Sequence, residues 1–180
     1  MVSIIPATEN DIQRILEIEQ EAISPPWTHG ALLSEIYKED SYFVVAFDEQ
    51  MPLSADDTAP SAISNAASSA ISNAAPATLN NTAFSAVVGF AVLRQVGDDG
   101  ELLQIAVDKA KRRGGVGELL MIAALEYARE NTPGSIFLEV RRGNTAAIGL
   151  YKKHGFSSVR IRKDYYSDPV EDAIVMIRRL

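Results

Sequence analysis

The 180-residue sequence contains no cysteine and only two histidines, His29 and His154. The absence of cysteine excludes disulfides, thiolate metal sites and a cysteine nucleophile. Two histidines so far apart in sequence do not indicate a metal cluster, and we expect no bound metal. No run of about 18 apolar residues occurs, and no charged-then-apolar signal pattern is present, so we expect a cytoplasmic protein without a membrane segment.

Basic residues are fewer than acidic ones: the sequence has 17 lysines and arginines, 24 aspartates and glutamates, and a net charge of −7. This balance argues against bulk nucleic-acid binding and permits a basic partner, such as a basic peptide. The contents of 47% hydrophobic and 23% charged residues are typical of a globular protein. The length suits one domain spanning residues 1–180 and is too short for two ordinary domains.

A strand, a glycine-rich loop and a helix are predicted in succession near the middle of the chain. The short apolar run at residues 102–107 is typical of a strand buried on both faces. Three basic residues follow at 111–113, then glycines at 114, 115 and 117, then a helical pattern over 119–128. Glycine allows positive φ and close approach of the backbone. The N–H groups of such a loop can therefore converge at the positive end of the helix, where phosphate oxygens bind.

Two common phosphate-binding motifs do not fit this loop. A Walker loop requires Lys-Ser/Thr after its last glycine, but Gly117 is followed by glutamate and leucine. A dinucleotide-binding fingerprint requires a third glycine or alanine, where this sequence has leucine. What remains is Arg-x-x-Gly-x-Gly at Arg112, Gly115 and Gly117, which resembles the acetyl-CoA pyrophosphate loop of the GNAT N-acetyltransferase superfamily. A plain left-handed turn is the alternative interpretation.

The rest of the chain alternates strand and helix patterns. Further strands are predicted at 2–5, 42–47, 86–93, 136–140, 159–165 and 173–177, and helices after Thr8, Thr28 and Asn144. Residues 49–83 are rich in Ser, Ala and Asn, and the stretch 61–67 recurs at 69–75. We expect this low-complexity insert to be a mobile surface excursion between two strands. Strands interleaved with helices, with hairpins at both ends, predict a mixed α/β or α+β sheet.

Two residues in the C-terminal half are candidates for acid–base chemistry. Glu139 lies in a predicted strand, where glutamate is disfavoured, and shares a face with Phe137 and Arg141. It is either a solvated or arginine-paired carboxylate, or a general base at a cleft. Tyr151 lies on the inner face of the helix after Asn144 and is either a core tyrosine or a general acid.

The surrounding motifs extend the GNAT resemblance over nearly the whole chain outside the insert. The sequence is similar in particular to the bacterial ribosomal-protein-alanine N-acetyltransferases, in the segments 26–27, 105–108, 112–117, 138–141, 144–151, 155–156, 162–166 and 171–173. The resemblance implies a GNAT fold, with a central mixed, mostly antiparallel sheet flanked by helices. It also implies an enzyme that transfers acetyl from acetyl-CoA to a protein's N-terminal α-amine, most closely the N-terminal alanine of small-subunit ribosomal protein eighteen, by direct attack in a ternary complex.

The resemblance also implies roles for individual residues. Backbone groups of Ile105, Ala106 and Val107 would contact the pantetheine arm and thioester carbonyl. The pyrophosphate would be held by residues that we call the phosphate loop: Arg112, Arg113, Gly114, Gly115, Val116, Gly117 and Glu118. Asn144 would hold the cofactor near its thiol, Glu139 would act as base and Tyr151 as acid. Glu118 departs from the family pattern and predicts weaker phosphate binding, although an acid is favourable in a helix's first turn.

The expected acceptor is the N-terminal peptide of a basic ribosomal protein, with neither nucleic acid nor membrane as a direct partner. Trp27 is expected to pack on the acceptor side. Acidic residues near the expected groove could attract a basic tail or be scattered surface acids: Glu35, Asp40, Asp164, Asp168, Glu171 and Asp172. Acetylation of a lysine or small amine, and CoA binding without catalysis, are the alternative functions. The sequence leaves the oligomeric state open.

Overall fold

A seven-stranded sheet forms the centre of the computed structural model, which describes residues 1–49 and 86–180. The predicted insert at 49–83 lies outside the described residues apart from position 49. The strands are β1 (Val2–Pro6), β2 (Ser41–Asp48), β3 (Val87–Val96), β4 (Asp99–Val107), β5 (Ser135–Arg141), β6 (Ser157–Ser167) and β7 (Val170–Arg179). The helices are α1 (Ile12–Ala22), α2 (His29–Ile36), α3 (Val116–Asn131) and α4 (Thr145–Lys153).

The strand order across the sheet is β1-β2-β3-β4-β5-β7-β6. All neighbouring strands are antiparallel except β4 and β5, which are parallel and are connected through α3. The predicted mixed, mostly antiparallel sheet is therefore confirmed. A parallel pair needs a crossover connection, and the long helix predicted after the glycine-rich loop supplies it.

Helices cover both faces of the sheet. Side chains of α1 and α2 pack with Phe43, Val45 and Phe90 on one face, and α3 packs with Val44 and Ala46 on the other. Alternation along β2 sends successive apolar side chains to opposite faces, so both faces are buried there. No helix within residues 1–49 and 86–180 has the length and apolar character needed to cross a bilayer.

Two predicted helix starts are confirmed by side-chain hydrogen bonds. Thr28 Oγ1 accepts from the Ala31 N–H at 3.2 Å, and Asn144 Oδ1 accepts from the Ala147 N–H at 3.1 Å. Both N–H groups lie in a first helical turn, where the regular helical hydrogen bond is missing, and the Ala31 N–H also donates to the Thr28 carbonyl at 3.0 Å. Asn144, the cap of α4, also lines the cleft described below.

The sheet opens between β4 and β5. Their pairing ends at Leu102 and Leu138, whereas β4 continues to Val107 and β5 to Arg141. The prediction that residues 102–107 form a strand buried on both faces is therefore wrong in part. Alternate residues 102, 104 and 106 are buried, but 103, 105 and 107 are only half-buried. The separation of the two strands leaves space beside this part of β4, and that space forms the cleft.

Candidate active site

A cleft of ≈ 630 Å³ lies where β4 and β5 separate. Four of the predicted site residues line it: Ile105, Glu139, Asn144 and Tyr151. Residues 22–27, which connect α1 to α2, form another wall together with residues 165–167 at the end of β6. The stretch 23–27 includes Trp27, which the family resemblance places on the acceptor side, and it is called the acceptor segment for that expectation. The fold thus brings the two candidate acid–base residues to one cavity from β5 and α4.

Glu139 holds an ion pair at the cleft wall. Its Oε1 lies 2.5 Å from Nη1 of Arg162, and the Arg162 guanidinium stacks 4.0 Å from the centre of the Tyr165 ring. A hydrogen bond to Glu139 is the main cause that raises the pKa of Tyr165. The arginine-paired carboxylate considered from the sequence is therefore observed, and it borders the cleft that a general base would need to reach.

Tyr151 is buried, with 6% of its surface exposed, and its ring lies 5.9 Å from that of Phe156. Burial raises the pKa of Tyr151 well above that of a free phenol, and the neighbouring Tyr166 adds to the shift. Burial therefore keeps this phenol protonated at neutral pH, and a protonated hydroxyl can donate a hydrogen bond as well as accept one. Tyr151 thus belongs to the core, as one of its two sequence-based interpretations predicted, and also lines the cleft, while its role as a general acid stays a prediction.

The phosphate loop has the geometry of an anion site. Arg113 and Gly115 have φ values of +64° and +85°, and Gly115 immediately precedes α3. The N–H groups of Val116 and Gly117 open α3 at the positive end of the helix, whereas the Glu118 N–H already donates to the Gly115 carbonyl at 3.0 Å. The left-handed turn considered as an alternative is present, and it creates the backbone geometry that favours phosphate.

Two predicted cofactor contacts are already engaged in other hydrogen bonds. The Val107 carbonyl accepts from Arg112 Nε at 3.0 Å. Asn144 Oδ1 caps α4, as described above, so its amide nitrogen is the part of that side chain left for a ligand. The side chain of Ala106 is buried against α1 and α2, and this residue is not among those that line the cleft.

Glu118 is paired with a lysine from another helix. Lys153 Nζ lies 2.6 and 2.7 Å from its two carboxylate oxygens, and this hydrogen bond is the main cause that lowers the pKa of Glu118. His154 Nε2 is 3.9 Å from the same carboxylate. The bridge joins α3 to α4 beside the phosphate loop. The carboxylate that departs from the family pattern therefore has its charge paired, in the first turn of α3.

Two of the acids near the expected groove have structural roles. Glu35 is 2% exposed, and although burial raises its pKa, hydrogen bonds from Arg94 and Lys38 lower it overall. Glu171 accepts from the Gly143 N–H at 2.6 Å and from Arg141 at 3.2 Å. Both carboxylates thus hold contacts within the fold, and attraction of a basic tail by them stays a prediction.

Arg141 joins the two loops at the mouth of the cleft, a function that the sequence did not predict. Its Nη2 donates to the Ser24 carbonyl at 2.7 Å and to the Asp168 carbonyl at 2.8 Å, and its guanidinium lies 4.1 Å from the centre of the Tyr166 ring. The only signal in the sequence was its position on the same strand face as Glu139. Its partners are backbone carbonyls from distant loops, which no local pattern identifies.

A buried glutamate behind the cleft was also missed. Glu19 is 0% exposed, and its Oε1 accepts from the Trp27 N–H at 3.0 Å and from Gln104 Nε2 at 2.7 Å. Burial raises the pKa of Glu19, while these two hydrogen bonds act in the opposite direction. The available signal was a carboxylate on the apolar stripe of α1.

Comparison with known proteins decides the family. Residues 54–156, more than half of the chain, match the model of the acetyltransferase (GNAT) family. The chain belongs to the GNAT family. The ribosomal protein bS18-alanine N-acetyltransferase of Haemophilus influenzae is 30% identical to this GNAT chain over 92% of its length and 90% of the relative's length.

Two solved structures extend the likeness to the whole fold. The ribosomal-protein-S18-alanine N-acetyltransferase of Escherichia coli has a TM-score of 0.71 at 26% identity, covering 99% of this chain and 94% of that one. Ard1 of Thermoplasma volcanium has a TM-score of 0.72 at 28% identity, covering 99% and 97%. The predicted GNAT fold and acetyltransferase class are confirmed.

Acetyl-CoA is the acetyl donor of this GNAT enzyme. The structure fits that molecule in two places. The positive φ of Gly115 and the start of α3 suit its pyrophosphate, and the gap beside β4 offers a slot for its extended arm. Ile105 lines the cleft beside the unpaired edge of β4, and the backbone contacts expected from residues 105–107 stay a prediction.

Proposed function

We propose that this enzyme acetylates the N-terminal α-amine of a protein, and that the acceptor is the N-terminal alanine of ribosomal protein bS18. Curated relatives that match over 92–93% of this chain carry that activity in their names. The structural observation that carries the proposal is the cleft between β4 and β5, with Glu139 and Tyr151 on its walls. The net charge of −7 suits a basic ribosomal acceptor. We place the reaction in the cytoplasm, in one catalytic domain.

The two halves of the cleft would receive different molecules. Acetyl-CoA supplies the thioester, and the phosphate loop with the β4 edge from Ile105 would bind it, with Asn144 near the thiol. The acceptor would enter beside Trp27, under the loops joined by Arg141. Direct attack by the amine needs no enzyme nucleophile, in agreement with the absence of cysteine. Positioning and a backbone N–H directed at the developing oxyanion would supply most of the rate.

Glu139 and Tyr151 would handle the two protons of the reaction. As the C–N bond forms, Glu139 accepts the proton of the amine, directly or through one water. As the C–S bond breaks, Tyr151 donates its phenolic proton to the leaving sulfur. An α-amine has a pKa of about 7.7–8.0, so a useful fraction is neutral near physiological pH, whereas lysine, at about 10.4, is far harder to deprotonate.

The acceptor is tested with two peptides that share an N-terminal alanine and an internal lysine. One has a free α-amine and the other is blocked there, and tandem mass spectrometry locates the added acetyl group. We expect modification of the free peptide alone, at its α-amine. Acetylation of the blocked peptide at lysine would contradict the proposal and favour a side-chain acetyltransferase. Acetyl-CoA binding without transfer to any amine would favour a non-catalytic module.

A further inference from the structure

The buried Glu19 has no role in the mechanism above, yet it contacts two parts of the cleft wall. Trp27 and Gln104 both line the cleft, whereas Glu19 lies behind them. Its Oε1 receives both hydrogen bonds, from the Trp27 N–H at 3.0 Å and from Gln104 Nε2 at 2.7 Å. One carboxylate oxygen therefore connects the acceptor segment to β4.

Two buried oxygens at this contact have no hydrogen-bond partner among the described residues. They are Oε2 of Glu19 and Oε1 of Gln104. If Glu19 were ionised, both atoms would be acceptors only, and neither could satisfy the other. Within residues 1–49 and 86–180, no lysine or arginine forms an ion pair with Glu19. A fully buried carboxylate without a cation is costly, and neutralisation is the usual outcome.

A single proton resolves this arrangement. Placed on Glu19 Oε2, it would make that atom a donor, and a bond from it to Gln104 Oε1 would close a ring of two hydrogen bonds between the acid and the amide. Oε1 keeps the bonds it already has. The direction of the pKa shift of Glu19, raised by burial, agrees with this arrangement.

We propose that Glu19 is a neutral carboxylic acid, doubly hydrogen-bonded to Gln104, that positions the acceptor segment against β4. The second part of this inference rests on the proposed function, because it assigns the acceptor to the Trp27 side. Gln104 follows a bulge in β4, where Val92 pairs with Gln104 and Leu93 already pairs with Leu102. The pair therefore holds the strand at the point where it leaves regular pairing and faces the cleft.

A neutral Glu19 places no negative charge behind β4 during acetyl transfer. Acyl transfer builds negative charge on the thioester oxygen, and an ionised carboxylate behind β4 would oppose that charge in a site of low dielectric constant. A protonated Glu19 anchors the Trp27 backbone without adding a charge. The same geometry can thus serve the acceptor side without weakening oxyanion stabilisation.

Protonation is tested directly by infrared difference spectroscopy between the wild-type enzyme and Glu19→Gln at pH 8. We expect loss of a protonated-carboxyl C=O band. The matched control is Glu35→Gln, since Glu35 is equally buried but ion-paired with Arg94, and its loss should remove an ionised-carboxylate band instead. Loss of a carboxylate band in Glu19→Gln would overturn the neutral assignment, whatever the activity of the enzyme.

Positioning is tested by the Michaelis constants of two variants. Glu19→Gln keeps a neutral side chain whose oxygen can still accept both hydrogen bonds. We therefore expect its peptide KM to stay near the wild-type value. Glu19→Leu removes both hydrogen bonds, and we expect its peptide KM to rise about tenfold while the acetyl-CoA KM is unchanged. A wild-type peptide KM in a folded Glu19→Leu enzyme would overturn the positioning role, as would a large increase in Glu19→Gln.

An exchange variant keeps this test decisive if Glu19→Leu does not fold. Glu19→Gln combined with Gln104→Glu restores an acid–amide pair, and we expect its peptide KM to be closer to the wild-type value than that of Gln104→Glu alone. Equal KM values for these two enzymes would overturn the pairing. If no variant and no wild-type enzyme acetylates an α-amine, the proposed function fails, while the infrared result still decides the protonation of Glu19.

Discussion

At the scale of single residues, the two candidate acid–base groups differ in what surrounds them. Glu139 is half-exposed and pairs with a guanidinium, whereas Tyr151 is almost fully enclosed by apolar side chains. Burial raises the pKa of Tyr151 and so favours its neutral form, whereas the Glu139 carboxylate forms an ion pair with Arg162. This contrast is what a reaction needs if one residue takes a proton and the other gives one.

Replacing Tyr151 by phenylalanine should therefore separate chemistry from packing. We expect kcat to fall about 100-fold, because the proton donor is lost while the ring still packs against Phe156. Tyr127→Phe is the matched control, since Tyr127 stacks on Tyr42 away from the cleft, and it should keep its activity. Steady-state kinetics with the peptide acceptor provide the measurement, and an unchanged kcat for Tyr151→Phe would remove the residue from the mechanism.

Single residues were predictable from the sequence where they violated a local rule. Glu139 was identified because a carboxylate is unusual in a strand, and Glu118 because it departs from the family loop. Arg162 was not identified as the partner of Glu139. Its position depends on irregular pairing between β6 and β7, where the register shifts between Arg162 and Tyr166. Such a shift leaves no periodic pattern to detect.

At the scale of elements, the Lys153–Glu118 ion pair between α3 and α4 predicts how removal of either charge alters acetyl-CoA binding. We expect Lys153→Met to raise the acetyl-CoA KM several-fold, because it leaves Glu118 unpaired beside the phosphates. Adding Glu118→Gln should restore most of the affinity. Measurement of KM at two salt concentrations checks the cause, since screening should reduce the Lys153→Met defect. A defect that persists at high salt in both variants would indicate a direct lysine–phosphate contact.

The start of α3 depends on the left-handed backbone of Gly115. We expect Gly115→Ala to lower the free energy of unfolding by about 1–2 kcal/mol, because a Cβ is strained at positive φ. Gly149→Ala, in the middle of α4 with no atom within 4 Å of its Cβ, should instead raise it by about 0.5–1 kcal/mol. Urea unfolding of the two variants measures both effects, and equal shifts would refute this account of the loop.

Element types followed from periodicity and caps, which are local. Every strand and helix predicted within the described residues is present, with ends that differ by a few residues. The burial of β4 was overestimated. Its apolar sequence is the same whether β5 pairs with three of its residues, as observed, or with the whole strand. Where β5 separates from β4 is decided by packing across the sheet, which the sequence of either strand does not encode.

At the scale of the whole molecule, the cleft collects residues that lie far apart in the chain. The acceptor segment, β4, β5, α4 and the end of β6 all contribute to its walls. The family resemblance could anticipate this arrangement, but composition and periodicity could not. Contacts such as those of Arg141 and Glu19, which tie the walls together, exist only after the fold has formed.

The buried phenols predict a loss of stability at high pH. Folding raises the pKa of Tyr151 above the value of about 10 expected in the unfolded chain, and the pKa of Tyr42 and Tyr166 shifts in the same direction. Above pH 10 the native state thus binds more protons than the unfolded state, so stability is complete below that pH and declines above it. The Tyr151 contribution should approach about 1.4 kcal/mol per pH unit. Urea unfolding between pH 8 and 11 should show a smaller decline for Tyr151→Phe; an identical decline would contradict the assignment.

The most direct test of the proposed mechanism is the pH dependence of kcat/KM for α-amine acetylation by Glu139→Gln. We predict a decrease of about 10²- to 10⁴-fold near pH 7, unchanged acetyl-CoA binding, and a defect that shrinks as pH rises above about 8 and the amine loses its own proton. Glu130→Gln, the same change on the exposed surface of α3, should match the wild-type enzyme. A wild-type kcat/KM for Glu139→Gln across the pH range would show that this carboxylate does not accept the proton.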